Sequence, residues 1–335
     1  MGERLTYPNK NQHEFTATAD LTKQLITSLI ILTTAATAIG FLFAGNSQQR
    51  QKPLSQMQRQ LYSKAATLAP FHKEFGPVKP GDWLASHKED GQTFREYASS
   101  SPIKLTSRRK KLYVLPLGEF NEQQKRIVNL SAEFLKLYFS CDVETLDTVG
   151  LDGVIPAEAR RVHPQWGVRQ IKSTYILDKV LPPRLPKDGV ALIAFTTSDL
   201  YPDDDWNFVF GQAMFRQRVG VWSLFRNGDP EIEFEPCLER TLKTATHETG
   251  HMLSIEHCIA WNCNMCGSNS LEESDRRPLY LCPECLPKVW WSTKAKPVTR
   301  FEKLAAFCKT NGLDKYGKFY SQCAASLKQP ADQQK

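Results

Sequence analysis

HETGHMLSIEHC, residues 247–258, is the stretch from which the rest of the chain can be organised. It closes a run of helix formers without proline, Cys237 to Leu253, in which Gly250 is the obvious weakness. On a helix, His247 and His251 lie one turn apart on the same face, where both imidazoles can ligate one tetrahedral zinc ion. Glu248 is rotated by about 100° from His247, which aims its carboxylate at a reacting water instead of the metal, as a general base requires. His257 offers a third nitrogen six residues past His251, after the helix has ended. Three protein ligands leave a fourth position open, and an open position belongs to a catalytic zinc.

Directly behind this motif come Cys258-x4-Cys263 and, after 18 intervening residues, Cys282-x2-Cys285. Two close pairs of thiols can converge on one ion and leave it no open position, so this second zinc is expected to be structural, fixing the loop that carries His257. Cys266 sits three residues beyond Cys263 and is an alternative ligand; two disulfides would be the alternative in an oxidising compartment. The chain has nine cysteines, an odd number that forbids complete internal pairing, and their clustering favours metal binding where thiols stay reduced. The expected content is two Zn2+ per chain, one catalytic and one structural.

Upstream of the motif the pattern alternates. Lys111 to Leu117 is a short apolar run that reads as a buried strand, and Asn121 to Phe139 carries Ile127, Leu130, Phe134, Leu135 and Tyr138 on one helical face. Cys141 to Val149 is a second strand candidate, Val168 to Val180 a helix, and Gly189 to Thr197 a strand apolar enough to need cover on both faces. Phe208 to Gln212 and Val219 to Phe225 suggest an antiparallel hairpin at a sheet edge, where an extended peptide can dock. The predicted fold class is α/β: a mixed, mostly parallel sheet with an antiparallel edge strand, an active-site helix and a zinc-stabilised C-terminal subdomain. Asp203, Asp204 and Asp205 read as a solvated turn, because adjacent side chains point apart, and the basic run Arg108 to Lys111 reads as a solvated face.

The domain organisation follows. Residues 1–24 form a polar tail, and 25–45, without a charge, a candidate membrane-spanning or targeting segment, since a helix of that length reaches about 30 Å. Residues 46–105 are a linker with one packed helix bearing Met57, Leu61, Ala65 and Leu68; 106–290 are the catalytic domain; 291–335 hold C-terminal helices, from Val298 to Leu327, and a polar tail. Arg50, Lys52, Arg59 and Lys64 follow the apolar segment without an acid, so the predicted localisation is membrane-anchored with the catalytic domain facing the cytosol, or otherwise cytoplasmic. Over 335 residues, 41% hydrophobic and 24% charged composition excludes wholesale disorder and a multispanning membrane protein. A net charge of +7 is too small to imply nucleic-acid binding. The segment between the cysteine pairs, with Glu272, Glu273 and Asp275 and no interleaved aromatics, argues against it too.

HETGHMLSIEHC, followed by CNMC and GSNSLEESDRRPLYLCPEC, resembles the archaemetzincin family of zinc metallopeptidases in the form found in eukaryotes. The resemblance extends to SDLYPDDDWNFVFGQA (198–213) and, more loosely, to FGPVKPGDWLASH (75–87). It implies a metzincin-like fold, a catalytic zinc on His247, His251 and His257, Glu248 as general base, and a structural zinc on Cys258, Cys263, Cys282 and Cys285. Met265 would belong to the stretch beneath the metal site. Ser254 departs from the pattern, which has glycine where the chain leaves the helix, and this motivates a competing reading: a zinc-stabilised binding protein with little or no turnover. The implied partner is a peptide or protein substrate, with a membrane through 25–45 as a second candidate; oligomeric state is not legible.

Overall fold

The computed structural model describes residues 53–329 except 216. Ten helices are used below: α1 Gln56–Ala66, α2 Trp83–Ser86, α3 Phe94–Ser99, α4 Glu122–Tyr138, α5 Ser173–Tyr175, α6 Phe234–Met252, α7 Leu271–Arg276, α8 Leu286–Thr293, α9 Pro297–Thr310 and α10 Asp314–Lys328. The strands are β1 Lys111–Leu117, β2 Asp142–Thr145, β3 Arg160–Val162, β4 Arg169–Lys172, β5 Gly189–Thr196, β6 Asp199–Tyr201, β7 Gly211–Met214 and β8 Val219–Ser223.

The main sheet runs β2-β1-β5-β8-β7, parallel except for β7, which pairs antiparallel with β8 at the edge. Its central strands are buried on both faces because alternate residues feed two cores. Leu112, Val114, Ile193 and Phe195 meet Ile127 and Phe134 of α4 and Leu238 and Leu242 of α6. Tyr113, Leu115, Leu192 and Ala194 meet Ile171, Ile176, Leu177 and Leu181 on the other side. Asn121 and Gln124 cap α4 reciprocally, which fixes where the chain turns back from β1. The C-terminal helices share this packing: Phe307 of α9 lies 5.1 Å from Phe134, centroid to centroid, and Arg300 Nε donates to Tyr138 O at 2.6 Å.

Three expectations change. Residues 168–180 are not one helix: Gln170 and Ile171 are drawn into β4, which pairs with β6 and β3, and the helical turns begin only at Ser173. Gln170 is buried and donates to the equally buried Asp199 at 2.8 Å, a long-range pairing that overrides local helix spacing. The edge hairpin is present, but its first strand begins at Gly211, while Phe208 stays outside it. Finally, among the described residues no helix is long and apolar enough to cross a membrane, which overturns the membrane-anchored, cytosol-facing placement. The segment 25–45 itself lies outside the described residues, as do the 1–24 tail and residues 330–335.

Candidate metal centre and active site

α6 runs beneath the sheet and delivers His247, Glu248 and His251 in its last two turns. Gly250 is explained by packing: a Cβ there would lie 2.6 Å from Sδ of Met265, a fully buried side chain pressed against the helix. The helix then stops in a left-handed turn at Ser254, with φ 68°. Ser254 N–H donates to His251 O at 2.8 Å and Ile255 N–H to Gly250 O at 3.0 Å, the paired reverse bonds that close a helix when its following residue is left-handed. Glycine would occupy this position without the cost of about 1–2 kcal/mol that a Cβ adds. Here the serine hydroxyl offsets part of that cost by accepting from Ile103 N–H at 3.1 Å.

The same turn aims Ile255 O at His251 Nδ1, 2.6 Å away. His247 Nδ1 lies 2.7 Å from Asn264 O, and His257 Nδ1 lies 2.6 Å from Oε1 of Glu89. Carbonyl and carboxylate oxygens only accept, so each imidazole carries its proton on Nδ1 and presents the Nε2 lone pair inward. The three rings converge, with centroid separations of 4.5, 4.8 and 5.2 Å, and one nitrogen of each lies within 4.8 Å of the others. His247 Nε2 and His251 Nε2 are only 2.9 Å apart. Two lone pairs at that distance repel unless a cation lies between them, so the donor set fits a metal ion of zinc's size and ligand preference. Burial keeps His247 and His251 neutral, as ligation requires: desolvation, helped by His257, lowers His247 to about 3, and desolvation puts His251 far below its usual range.

Glu248 lines a small cavity beside His247, walled by Phe210, Asn227, Lys243 and Thr244. The cavity gives it partial access to solvent, yet crowding desolvates its carboxyl and raises it to about 7. The cavity's cations are already committed: Lys243 pairs with Glu239 at 2.8 Å and Arg240 with Asp275 at 2.8 Å. Arg277 pairs with Glu273 at 2.9 Å, and Arg276 reaches both Glu272 and the distant Asp82.

Cys258, Cys263, Cys282 and Cys285 come together, all buried, with their sulfurs within 4.8 Å of one another. Met265 N–H and Cys282 N–H both point at Cys263 Sγ, at 3.5 and 3.3 Å, a backbone arrangement that favours thiolate. Burial pushes Cys263 and Cys282 well up, so this many sulfurs cannot all ionise without a cation among them. Cys266 stays outside the group; its Sγ is 3.1 Å from Trp261 O. The two clusters are tied by main chain, since Cys258 N–H donates to Met265 O at 2.8 Å. Asp203 to Asp205 form an exposed turn, as expected, in which Asp205 N–H donates to Asp203 Oδ1 at 3.1 Å and Asp204 lies 4.0 Å from Arg161. Sequence reading missed Glu89, which no spacing rule connects to a histidine 168 residues away.

The model of Peptidase family M54 matches residues 168–290. The chain is 32% identical to Archaemetzincin-2 of Homo sapiens over 281 residues, covering 72% of this chain and 77% of that protein. It is 40% identical to Archaemetzincin of Archaeoglobus fulgidus over 121 residues, 36% of this chain and 69% of that one. The crystal structure of the Archaeoglobus fulgidus archaemetzincin complexed with malonate is similar at 31% identity and a TM-score of 0.44, covering 53% of this chain and 99% of that one. With identity to the human protein sustained over most of both sequences, this chain belongs to the archaemetzincin family and is a zinc metallopeptidase, a hydrolase.

Proposed function

We propose that the chain hydrolyses peptide bonds with a zinc held by His247, His251 and His257 and with Glu248 as general base, while a second zinc on Cys258, Cys263, Cys282 and Cys285 is structural. The observation that carries this reading is the 2.9 Å approach of two Nε2 atoms whose rings have both committed Nδ1 to carbonyls. Zinc bound there supplies Lewis-acid chemistry, polarising the peptide carbonyl and making water nucleophilic near neutral pH. Glu248 accepts the proton that the attacking water gives up and delivers it to the departing amine, so no covalent bond to the protein forms. Its desolvated surroundings strengthen its hold on that proton between the two transfers.

β7 lies at the sheet edge beside α6, and its unpaired side can align an extended peptide by main-chain hydrogen bonds. The cavity next to Glu248 then takes one substrate side chain. The competing reading of an inactive binding protein rested on Ser254; the hydrogen-bonded turn that accommodates this serine supports the catalytic reading instead. The test is a Glu248→Ala variant. Peptide cleavage should fall by about 10²–10⁴-fold, the usual share of general acid–base catalysis, with zinc content unchanged. Equal cleavage by the variant and the wild type would rule out Glu248 as the base.

A further inference from the structure

Two of the three imidazoles lean on carbonyls supplied by the 247–264 segment itself. His257 leans on a carboxylate from Glu89, in a strap between residues 83 and 92 that lies upstream of the family-matched residues 168–290. The strap is fastened at both ends. At its start, Trp83 N–H donates to the buried Glu273 at 3.0 Å, and the Trp83 indole packs so closely on Gly267 that a Cβ there would come within 2.5 Å of it. At its end, Gln92 Nε2 donates to Ser254 O at 3.2 Å and Gln92 Oε1 accepts from Glu256 N–H at 3.3 Å. Lys288 of α8, only 1% exposed, completes this end by donating to Gln92 Oε1 at 3.2 Å and to the Gln92 carbonyl. Gln92 therefore holds the main chain around His257 while Glu89 holds its ring.

The Glu89 contact differs from an ordinary surface pair. The side chains of His257 and Glu89 are 18% and 22% exposed. Glu89 Oε1 accepts from both His257 Nδ1–H, at 2.6 Å, and Trp83 Nε1–H, at 2.9 Å, while Oε2 is buried with no hydrogen-bond partner. A carboxylate oxygen left dry and unpaired is costly unless positive charge lies close by. A divalent ion on the far side of the His257 ring would supply that charge.

We propose that Glu89 is a positioning residue for the catalytic metal. It fixes His257 in the Nδ1–H tautomer, stops the ring from turning away, and raises the basicity of the ligating Nε2. The strap thus supplies from a distant segment the rigidity that the two helical histidines receive from their own backbone. This inference rests on the three-imidazole reading above.

The test is competition between a chromogenic chelator and the full chain for zinc, comparing wild type with Glu89→Ala, Glu89→Gln and His251→Ala. Wild type should hold two ions and His251→Ala one, which identifies the three-imidazole site. Glu89→Ala should weaken that site by about 10–100-fold, the usual cost of losing such a partner, and leave the four-cysteine site as tight as before. Glu89→Gln keeps an acceptor for Nδ1–H but no charge, so its affinity should fall between those of wild type and Glu89→Ala. Cobalt(II) absorption of the same site should shift in Glu89→Ala and move back toward wild type in Glu89→Gln. Melting of the zinc-loaded proteins checks folding, and Glu89→Gln alone decides the matter if Glu89→Ala does not fold. Either variant binding zinc at that site as tightly as wild type overturns the proposal. Failure of His251→Ala to lose an ion would instead overturn the three-imidazole reading.

Discussion

The two clusters behind α6 are neighbours in sequence, Cys258 following His257, yet they are built on opposite principles. The imidazole cluster presents three nitrogens, each ring braced from behind through Nδ1, around a centre that borders a cavity containing Glu248. The thiol cluster is buried throughout, and its four sulfurs lie within 4.8 Å of one another. In the proposed reading, one arrangement leaves room for substrate, while the other would close the coordination of an ion and bind the loop to the body of the protein. Donor number and burial, more than donor chemistry, separate a working centre from a fastening. The difference predicts that damage on one side changes rate and damage on the other changes stability.

Cys282→Ser should therefore have the largest effect on folding. Loss of a structural metal belongs among the changes costing more than about 4 kcal/mol. At about 2–4 °C per kcal/mol, thermal unfolding should begin about 10 °C lower or more, whereas Glu248→Ala should melt like wild type. A Cys282→Ser variant that melts like wild type would erase the distinction.

Gly250→Ala sharpens the comparison from the other side. The new Cβ must displace Met265 Sδ, and overpacking costs about 1–3 kcal/mol against a gain of about 1 kcal/mol in helix propensity. The net loss should be about 1 kcal/mol by denaturant unfolding. Because Asn264, which braces His247, precedes Met265, cleavage should suffer more than that loss of stability suggests. Unchanged stability and unchanged activity together would show that this contact does not brace the site.

The smallest effect is expected from His72, on the fastening side. Its Nδ1 lies 2.8 Å from Leu68 O and its Nε2 3.0 Å from Leu281 O, next to Cys282, with Tyr280, Phe319 and Trp261 edge-on around it. Desolvation lowers its proton affinity, outweighing the two carbonyls that would favour the cation. A histidine lowered on folding binds more protons when unfolded. Its contribution is thus intact above the unfolded value of about 6.5 and is lost as pH falls below it, toward the lowered native value. Melting curves from pH 7.5 to 5 should show a steeper acid loss in wild type than in His72→Phe, the metal sites cancelling in the difference. Parallel curves would mean that His72 does not titrate with folding.

The legible part of this molecule was the local part. β1 and β5 declared themselves by continuous apolar runs, and α6 by spacing that put both histidines on one face. The left-handed exit at Ser254 was visible as a departure from glycine, but the compensating bond to Ile103 was not, because the two residues are 151 positions apart. The same limit hid Glu89 behind His257 and turned Gln170 and Ile171 from expected helix into strand through their pairing with β6. Cys266 was ambiguous by spacing alone, and only the fold directs its sulfur to Trp261 O. The residues proposed to do chemistry stand out by periodicity; the residues that hold them do not, since their partners arrive from elsewhere in the chain.

Elemental analysis of the purified full chain, beside His247→Ala, tests the central claim most directly. The account predicts two zinc ions per wild-type chain and one in the variant, with the remaining ion still bound by the four thiols. A single ion in wild type, or two in the variant, would contradict it.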